Sequence, residues 1–264
     1  METLSLLSWP FLACLLLILI HTWFGVHILE RGIIFVDLAL AQFISIGIAC
    51  SMLAGGYRTP LAIGFALFGA LILALTRRIA RHVNVEAFIG VLYIFSFGVC
   101  SLILDRTAHG MEEFKAILNG SILWVTPGML ASTALLYGAV GLLHWCMRRR
   151  FHDLTFKGEG PLWVEFLFFA SFALVLVKSV MIAGILQVFS FLVVPALLGR
   201  LFLQSAGRIL AAGWIAGTLV SSGGIAVSHL LDLPTAPVIV TGLALLFFLC
   251  LAVKTLIPRN TAAQ

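Results

Sequence analysis

Apolar runs divide this chain into segments of membrane-spanning length, and short polar stretches that carry most of the charge separate them. A helix needs about 20 apolar residues to cross the hydrocarbon core of a bilayer. By this measure the pattern predicts roughly nine spans, of which the third and the seventh are the least regular. They are residues 8–29, 33–53, 60–75, 86–104, 127–147, 163–180, 184–203, 209–231 and 236–256.

The composition agrees with a protein that lies in a membrane. The chain has 264 residues, of which 62% are hydrophobic and 10% are charged, whereas soluble domains carry roughly 25% charged residues. The predicted fold class is therefore an all-α polytopic membrane protein with roughly 8–9 transmembrane helices in a single domain, residues 1–264. No basic residue precedes the first apolar run and no small-residue cleavage site follows it, so residues 8–29 are interpreted as a retained span.

Most basic residues lie in clusters, and each cluster follows an odd-numbered predicted span, whereas the loops after even-numbered spans carry only Arg58, Arg106, Lys115 and Lys178. Cytoplasmic loops of membrane proteins carry an excess of Lys and Arg. This rule predicts cytoplasmic loops after the odd-numbered spans, with the N-terminus outside and the C-terminus in the cytoplasm. The clusters are Arg31; Arg77, Arg78 and Arg81; Arg148, Arg149, Arg150 and Lys157; Arg200 and Arg208; and Lys254 and Arg259.

Residues 178–208 change from strongly apolar to amphipathic at Pro195. Proline has no amide hydrogen, and its ring clashes with the preceding turn of a helix. The pattern predicts a helix that crosses the membrane, breaks near Pro195 and leaves a short surface segment, residues 195–208, with Arg200 and Arg208. Such a segment can transmit force to a cytoplasmic partner, and an ordinary loop between two spans is the alternative.

Polar side chains inside predicted spans are the first candidates for chemistry, because an ionisable group in a membrane is costly. Asp37 lies about one turn into the second span, Gln42 follows five residues later, and Glu86 opens the fourth span. These residues are predicted to contact a transported ion. For Asp37 and Glu86 the alternative is a carboxylate at a helix start that the helix dipole stabilises.

A second group of candidates lies in the outer loop after the fourth span. His109 is followed by Glu112 and Glu113, at spacings that bring side chains together on one helical turn. An imidazole and carboxylates suit Zn²⁺ or Mn²⁺, so the group predicts an outer site that captures metal. The alternative is an exposed HxxE pattern without function. The next segment, residues 113–126, is too short to cross alone and is either a surface helix or a re-entrant segment.

Several motifs of energy conversion and catalysis are absent from the sequence. It holds no GxxxxGK[ST] phosphate loop and no HExxH or GxSxG motif. The five cysteines form no CxxC pair and are interpreted as small apolar residues in helix packing. A transport subunit that takes its energy from a partner chain is therefore favoured over an integral-membrane enzyme that uses His109, Glu112 and Glu113.

Five segments spread over nearly the whole chain carry a family resemblance, and the fourth is the most specific. They are HTWFGVHILERGIIFVDLALAQ (21–42), EAFIGVLY (86–93), HGMEEFKAILNGSILWVT (109–126), SVMIAGILQVFSFLVVPALLGRLF (179–202) and DLPTAP (232–237). In this order the segments resemble the membrane subunit of bacterial ABC importers for zinc, manganese and iron(II).

The resemblance implies an all-helical permease in the bacterial cytoplasmic membrane, paired as a homodimer around a central pathway. It also implies cytoplasmic ABC ATPase subunits and an extracytoplasmic metal-binding protein as partners, and it implies no nucleic acid. No cofactor is expected to stay bound, because the divalent metal ion is the cargo. Residues 195–208 resemble the segment that docks on the ATPase, with Pro195, Arg200 and Arg208 as the residues expected to couple.

One motif departs from the family pattern. Manganese and zinc members often begin the second span with Asp-Ala-Leu-Ser-His, whereas this chain reads DLALAQ from Asp37 to Gln42. With the two motifs aligned on their leucine, Gln42 replaces the histidine, and an amide is a poor ligand for zinc. Zinc or manganese is the expected cargo, and a permease for a metal chelate or another small solute is the alternative.

Overall fold

The computed structural model describes residues 2–80, 82–120 and 122–256, and the regular structure within these ranges is helical. Seven of the described helices are long and apolar enough to cross a membrane, and α3 is a shorter apolar helix. This confirms the predicted all-α membrane fold. The helices are α1 (Glu2–Arg31), α2 (Val36–Leu53), α3 (Arg58–Ala74), α4 (Thr76–Ile79), α5 (Val85–Leu104), α6 (Gly110–Asn119), α7 (Pro127–Cys146), α8 (Arg148–His152), α9 (Leu162–Phe202), α10 (Ala206–Leu231) and α11 (Thr235–Leu256).

The longest helix, α9, folds back on itself at Gly184. This residue has φ 76° and ψ 165°, outside the helical region. Near the start of α9, Glu165 forms an ion pair with Arg31, and near its end Arg200 forms one with Glu30 at 2.9 Å. Both ends of α9 therefore lie at the same end of α1, which a straight helix of roughly 60 Å could not achieve. The two halves, residues 162–183 and 185–202, are named α9a and α9b, and they correspond to the predicted sixth and seventh spans.

The basic clusters lie at one end of the molecule, which is named the basic side. Besides the two ion pairs of α1 with α9, Lys254 of α11 donates a hydrogen bond to the Leu201 carbonyl. The segment after α7 joins this side through Thr155, whose hydroxyl lies 2.8 Å from His27 Nδ1. Arg81 and Arg259 lie outside the described residues, as do the side chains of Arg77 and Arg78.

The helices α1, α2 and α9 form the interior of the bundle. In the span of α2, 78% of residues are buried, against 22% in α5 and α7 and 17% in α11. The outer helices expose large apolar side chains such as Val91, Leu135 and Phe248. In a membrane these faces contact lipid or another chain, because water cannot solvate them at low cost.

The predicted break near Pro195 is wrong. The helix continues through Pro195 to Phe202, and the reversal of the chain lies eleven residues earlier, at Gly184. Proline is tolerated inside transmembrane helices because neighbouring helices satisfy the freed backbone groups. Here α10 packs against it, since a Cβ added at Gly213 would lie 2.9 Å from the Pro195 carbonyl oxygen.

Residues 113–120 and 122–126 cover the Gly184 turn on the side opposite the basic side. They comprise the later part of α6 and a 3-10 turn at Ile122–Trp124. Gly120, with φ 64°, lies so close to the turn that a Cβ on it would be 2.1 Å from the Ala183 carbonyl carbon. A Cβ on Gly184 would be 2.3 Å from the Gly120 nitrogen. The segment is therefore a short helix packed on protein, and only glycine fits at either contact.

Candidate functional site

Asp37 lies in the first turn of α2, just after the chain re-enters the bundle from the basic side. It is 1% exposed, and neither carboxylate oxygen has a hydrogen-bond partner among the described residues. An unpaired carboxylate in an apolar interior is costly, so this group is expected to bind a cation or a proton. The helix dipole also stabilises a carboxylate in a first turn, so the position fits the alternative interpretation as well.

Gln42 lies deeper in α2 than Asp37, by roughly 7.5 Å along the helix axis. It is also 1% exposed, and its Oε1 has no hydrogen-bond partner among the described residues. Five residues of helix rotate the second side chain by about 140° relative to the first. Asp37 and Gln42 therefore lie on different faces of α2 and suit successive contacts better than one shared site.

Glu86 lies in the first turn of α5 and joins the starts of two helices. Its Oε1 accepts a hydrogen bond from the backbone N–H of Phe35, 3.1 Å away, directly before α2. It thereby satisfies one of the N–H groups that a helix start leaves unpaired. Its Oε2 is buried without a hydrogen-bond partner among the described residues. The residue therefore has a structural role at the start of α2 and keeps one oxygen without a partner among the described residues.

The three outer candidates separate into two pairs. His109 Nδ1 lies 3.2 Å from Glu112 Oε2, and both side chains are exposed. Glu113 is paired instead with Arg58 at the start of α3. Within the described ranges no group of three or more His, Cys, Asp or Glu residues is placed to hold a metal ion. The outer metal site stays a prediction, and it would require Glu113 to leave Arg58.

Residues 195–208 contain the end of α9, a short turn and the start of α10. Pro195 is buried in the bundle, whereas Arg200 is exposed on the basic side and bound to Glu30. Residues 204–208, which include Arg208, are all exposed. The turn therefore offers a polar surface to a partner, and the coupling role of Pro195, Arg200 and Arg208 stays a prediction.

Sequence reasoning missed a buried ion pair on the basic side. Glu165 is fully buried and pairs with Arg31, whose side chain is 12% exposed. The Arg31 guanidinium also lies 5.3 Å from the ring centre of Phe168 and 4.9 Å from that of Phe169. Glu165 lies within the predicted span 163–180, so the rule that singled out Asp37 applied to it equally.

Three histidines of α1 and α7 bind protein oxygens rather than one another. His21 Nδ1 lies 2.8 Å from the Leu17 carbonyl oxygen, and His144 Nε2 lies 2.7 Å from the Ser171 hydroxyl. His27 is held by Thr155, as described above. His27 and His144 therefore connect α1 and α7 to their neighbours, whereas the His21 contact lies within α1. The carboxylates of α2 and α5 stay the stronger candidates for an ion.

The comparison with protein families covers nearly the whole of this bundle. The model of the ABC 3 transport family (ABC-3) matches residues 3–254. The chain belongs to the ABC 3 transport family. The family membership places this bundle among transport proteins. The matched range includes all the candidate residues.

Curated relatives of this ABC 3 family member carry related descriptions. A "probable metal transport system membrane protein" of Thermotoga maritima is 24% identical over 217 residues, which is 80% of this chain and 76% of the relative. A protein of Chlamydia pneumoniae with a similar description is 27% identical over 201 residues, covering 72% of this chain and 68% of the relative.

Two solved structures share the fold. A chain of PsaBC from Streptococcus pneumoniae, solved in complex with a Fab, aligns with TM-score 0.76 and 19% identity, over 93% of this chain and 90% of that chain. A chain solved in an inward-facing conformation, and assigned as a metal-chelate type ABC transporter, aligns with TM-score 0.72 and 15% identity. This alignment covers 92% of this chain and 85% of that chain. At these identities the likeness concerns the fold alone.

Proposed function

We propose that this ABC 3 family member is the permease subunit of an importer that moves a divalent metal cation, zinc or manganese, across the cytoplasmic membrane. The observation that carries the proposal is the family match over residues 3–254. Relatives described as metal transport system membrane proteins support the choice of cargo. Transport is favoured over the membrane-enzyme alternative, because Glu113 pairs with Arg58 and does not join His109 and Glu112 in one site.

Three side chains are proposed to contact the cation on its way. Asp37 and Glu86 offer carboxylate oxygens without hydrogen-bond partners, and Gln42 offers an amide oxygen deeper in the bundle. Oxygen donors suit manganese better than zinc. Conduction requires contacts that are weak and successive, so that the ion can leave each one. The separation of Asp37 and Gln42 around α2 supports such a sequence.

The partners are proposed from the family and from the basic side. Two cytoplasmic ATPase subunits would hydrolyse ATP and bind the exposed turn at residues 204–208. An extracytoplasmic binding protein would deliver the metal. Two permease chains would form a homodimer. The basic side would then face the cytoplasm, as the excess of Lys and Arg favours. A movement of the ATPase subunits would be transmitted along α9b to the bundle interior, where Pro195 is buried.

The direct test compares uptake of labelled zinc, manganese and iron(II) by cells that contain the complete transporter with cells that lack only this chain. The proposal predicts the loss of high-affinity uptake of one metal. Arg208→Glu should abolish uptake while the permease still inserts, because it reverses a charge on the exposed turn. Normal uptake by this variant would exclude Arg208 from coupling without affecting the assignment of the cargo.

A metal chelate is the second candidate cargo. Gln42 stands where manganese and zinc members often have histidine, and the chain shares its fold with a metal-chelate type transporter. Competition separates the two candidates. An excess of free metal should suppress uptake of the labelled ion if the ion is the cargo, whereas only the chelated metal should compete if the chelate is the cargo.

A further inference from the structure

An apolar groove lies on the outside of the bundle between α1, α7 and α10. It has a volume of about 430 Å³, within the range of about 300–1,000 Å³ in which proteins hold small organic ligands. Gly138 and Gly141 form part of its floor, and a Cβ added at either would have no atom within 4 Å. The other lining residues include Trp23, Trp145 and Trp214. The groove is therefore open space beside the helices, next to the hydrocarbon of the membrane.

The groove has the depth of one leaflet. Along α7 it runs from Ala134 towards Trp145, which corresponds to roughly 17 Å of helix, and half of the hydrocarbon core is about 15 Å thick. Its end on the basic side is marked by Trp145, and tryptophan is enriched at the boundary between hydrocarbon and headgroups. One acyl chain of the leaflet on the basic side therefore matches the groove in length and in polarity.

Cationic side chains stand at this end of the groove. Arg148 lines it, and its guanidinium lies 5.8 Å from the Trp145 ring centre. Arg149 and Arg150 follow directly and, like Arg148, are exposed. No acidic side chain within the described ranges forms an ion pair with any of the three. The end of the groove therefore complements an anionic group at headgroup level.

A second copy of this chain complements the groove poorly. Two copies in one membrane share their orientation, so a copy docked through α7 would bring its own Arg148–Arg150 to the same level. Like charges placed opposite each other disfavour such a contact. An anionic phospholipid brings the opposite charge at that level and a hydrocarbon chain below it.

We propose that the groove between α1, α7 and α10 binds an anionic phospholipid, with an acyl chain over Gly138 and Gly141 and the headgroup phosphate at Arg148. The ammonium and guanidinium groups of basic residues near headgroups attract anionic lipids. Arginine suits phosphate because its planar guanidinium can donate two parallel hydrogen bonds. This binding is independent of the cargo, so it can hold even if the proposed metal transport does not.

The test uses quenching of tryptophan fluorescence by lipids with brominated acyl chains. The full chain is reconstituted in phosphatidylcholine vesicles that contain brominated phosphatidylglycerol or, separately, brominated phosphatidylcholine. Replacement of Trp9, Trp124 and Trp163 by Phe leaves the three tryptophans of the groove as reporters. We expect the groove to prefer phosphatidylglycerol by about fivefold, the effect of one cation near an anionic headgroup.

Two substitutions and one control locate the site. Arg148→Gln should reduce the preference to near unity, and Gly141→Leu should reduce quenching by both lipids, because it fills the groove without an overlap of its Cβ. Lys157→Gln is the matched control. It removes one positive charge from the same side, but Lys157 lies outside the groove and is paired with Asp153 at 2.7 Å. Lys157→Gln should retain the preference.

Four outcomes would overturn the proposal. The parent could show no preference for phosphatidylglycerol, or Arg148→Gln could keep the preference. An equal loss in Lys157→Gln would assign the effect to surface charge in general. Finally, protection of all three tryptophans from both brominated lipids would show that a second copy or another protein covers the groove.

Discussion

At the residue scale, the two carboxylates of the candidate path have different surroundings. Glu86 accepts a hydrogen bond from the Phe35 backbone, whereas Asp37 has no hydrogen-bond partner among the described residues. A side chain that helps to hold two helix starts together has a structural reason to be acidic. For Asp37 only the helix dipole stabilises the charge of the carboxylate. Contact with a transported ion therefore explains an acidic residue at this position better.

Asp37→Asn is predicted to abolish uptake while the protein still inserts and assembles. The substitution keeps the shape of the side chain and removes its charge, so the loss would belong to the contact with the cation. Uptake of labelled metal and the amount of protein in the membrane measure the two effects. Glu159→Gln is the control for loss of a carboxylate, because Glu159 is exposed on the basic side. Normal uptake by Asp37→Asn would exclude the role.

Glu165→Ala is predicted to destabilise the protein by about 3–5 kcal/mol, because removal of one partner leaves the Arg31 charge poorly compensated. The free energy of unfolding in detergent or the melting temperature measures the effect. The double variant Arg31→Met with Glu165→Leu should recover much of the loss, since a well-packed apolar pair can replace a buried ion pair. A single variant as stable as the parent would show that the pair contributes little.

The candidate residues were predictable to different degrees. Asp37 and Gln42 stand out in the sequence because they interrupt an apolar run, and the structure finds both buried. The bond from Glu86 to Phe35 connects residues 51 positions apart, and no local pattern reports such a contact. The ion pair between Arg58 and Glu113 is likewise not visible in any local pattern, and it keeps Glu113 from joining His109 and Glu112.

At the element scale, α9 shows which local signals decide the path of the chain. The predicted spans 163–180 and 184–203 correspond to α9a and α9b, so the apolar pattern located the boundary at Gly184. The break was expected near Pro195 because proline removes a hydrogen bond of the helix. The helix continues through Pro195 and α10 packs against it there, a contact that is not visible in the local sequence.

Gly184→Ala is predicted to destabilise the fold by more than about 1 kcal/mol, because alanine is strained at positive φ. The added Cβ would also meet the backbone of Asn119 and Gly120. Gly98→Ala in α5 is the matched control, since a Cβ there has no atom within 4 Å, and it should stabilise the helix by up to about 1 kcal/mol. Melting temperatures of the two variants compare the effects, and equal stability would contradict the close contact at Gly184.

At the scale of the whole molecule, the ends of α1, α9 and α11 gather the basic residues on one side. This arrangement follows from the alternation of charged and uncharged loops along the chain, and for this reason it could be anticipated from the sequence. The exposed faces of α5, α7 and α11 could not be assigned in the same way. Lipid and partner helices favour the same apolar side chains, so the sequence does not distinguish them.

Cysteine labelling tests the proposed orientation of the bundle. Glu159→Cys on the basic side and Arg106→Cys on the opposite side are both exposed and can be introduced into a chain whose own cysteines are replaced by serine. A maleimide that cannot cross the membrane should label Arg106→Cys in intact cells and Glu159→Cys only after the cells are opened. The reverse pattern would place the basic side outside.

The central claim is that the bundle moves a metal cation, and uptake of free zinc, manganese and iron(II), measured in parallel, tests it most directly. The cells would contain the proposed ATPase and binding protein, with or without this chain. The account predicts that loss of the chain removes high-affinity uptake of one metal and leaves the others unchanged. Unchanged uptake of all three free metals would contradict it and would remove the basis for the roles of Asp37, Gln42 and Glu86.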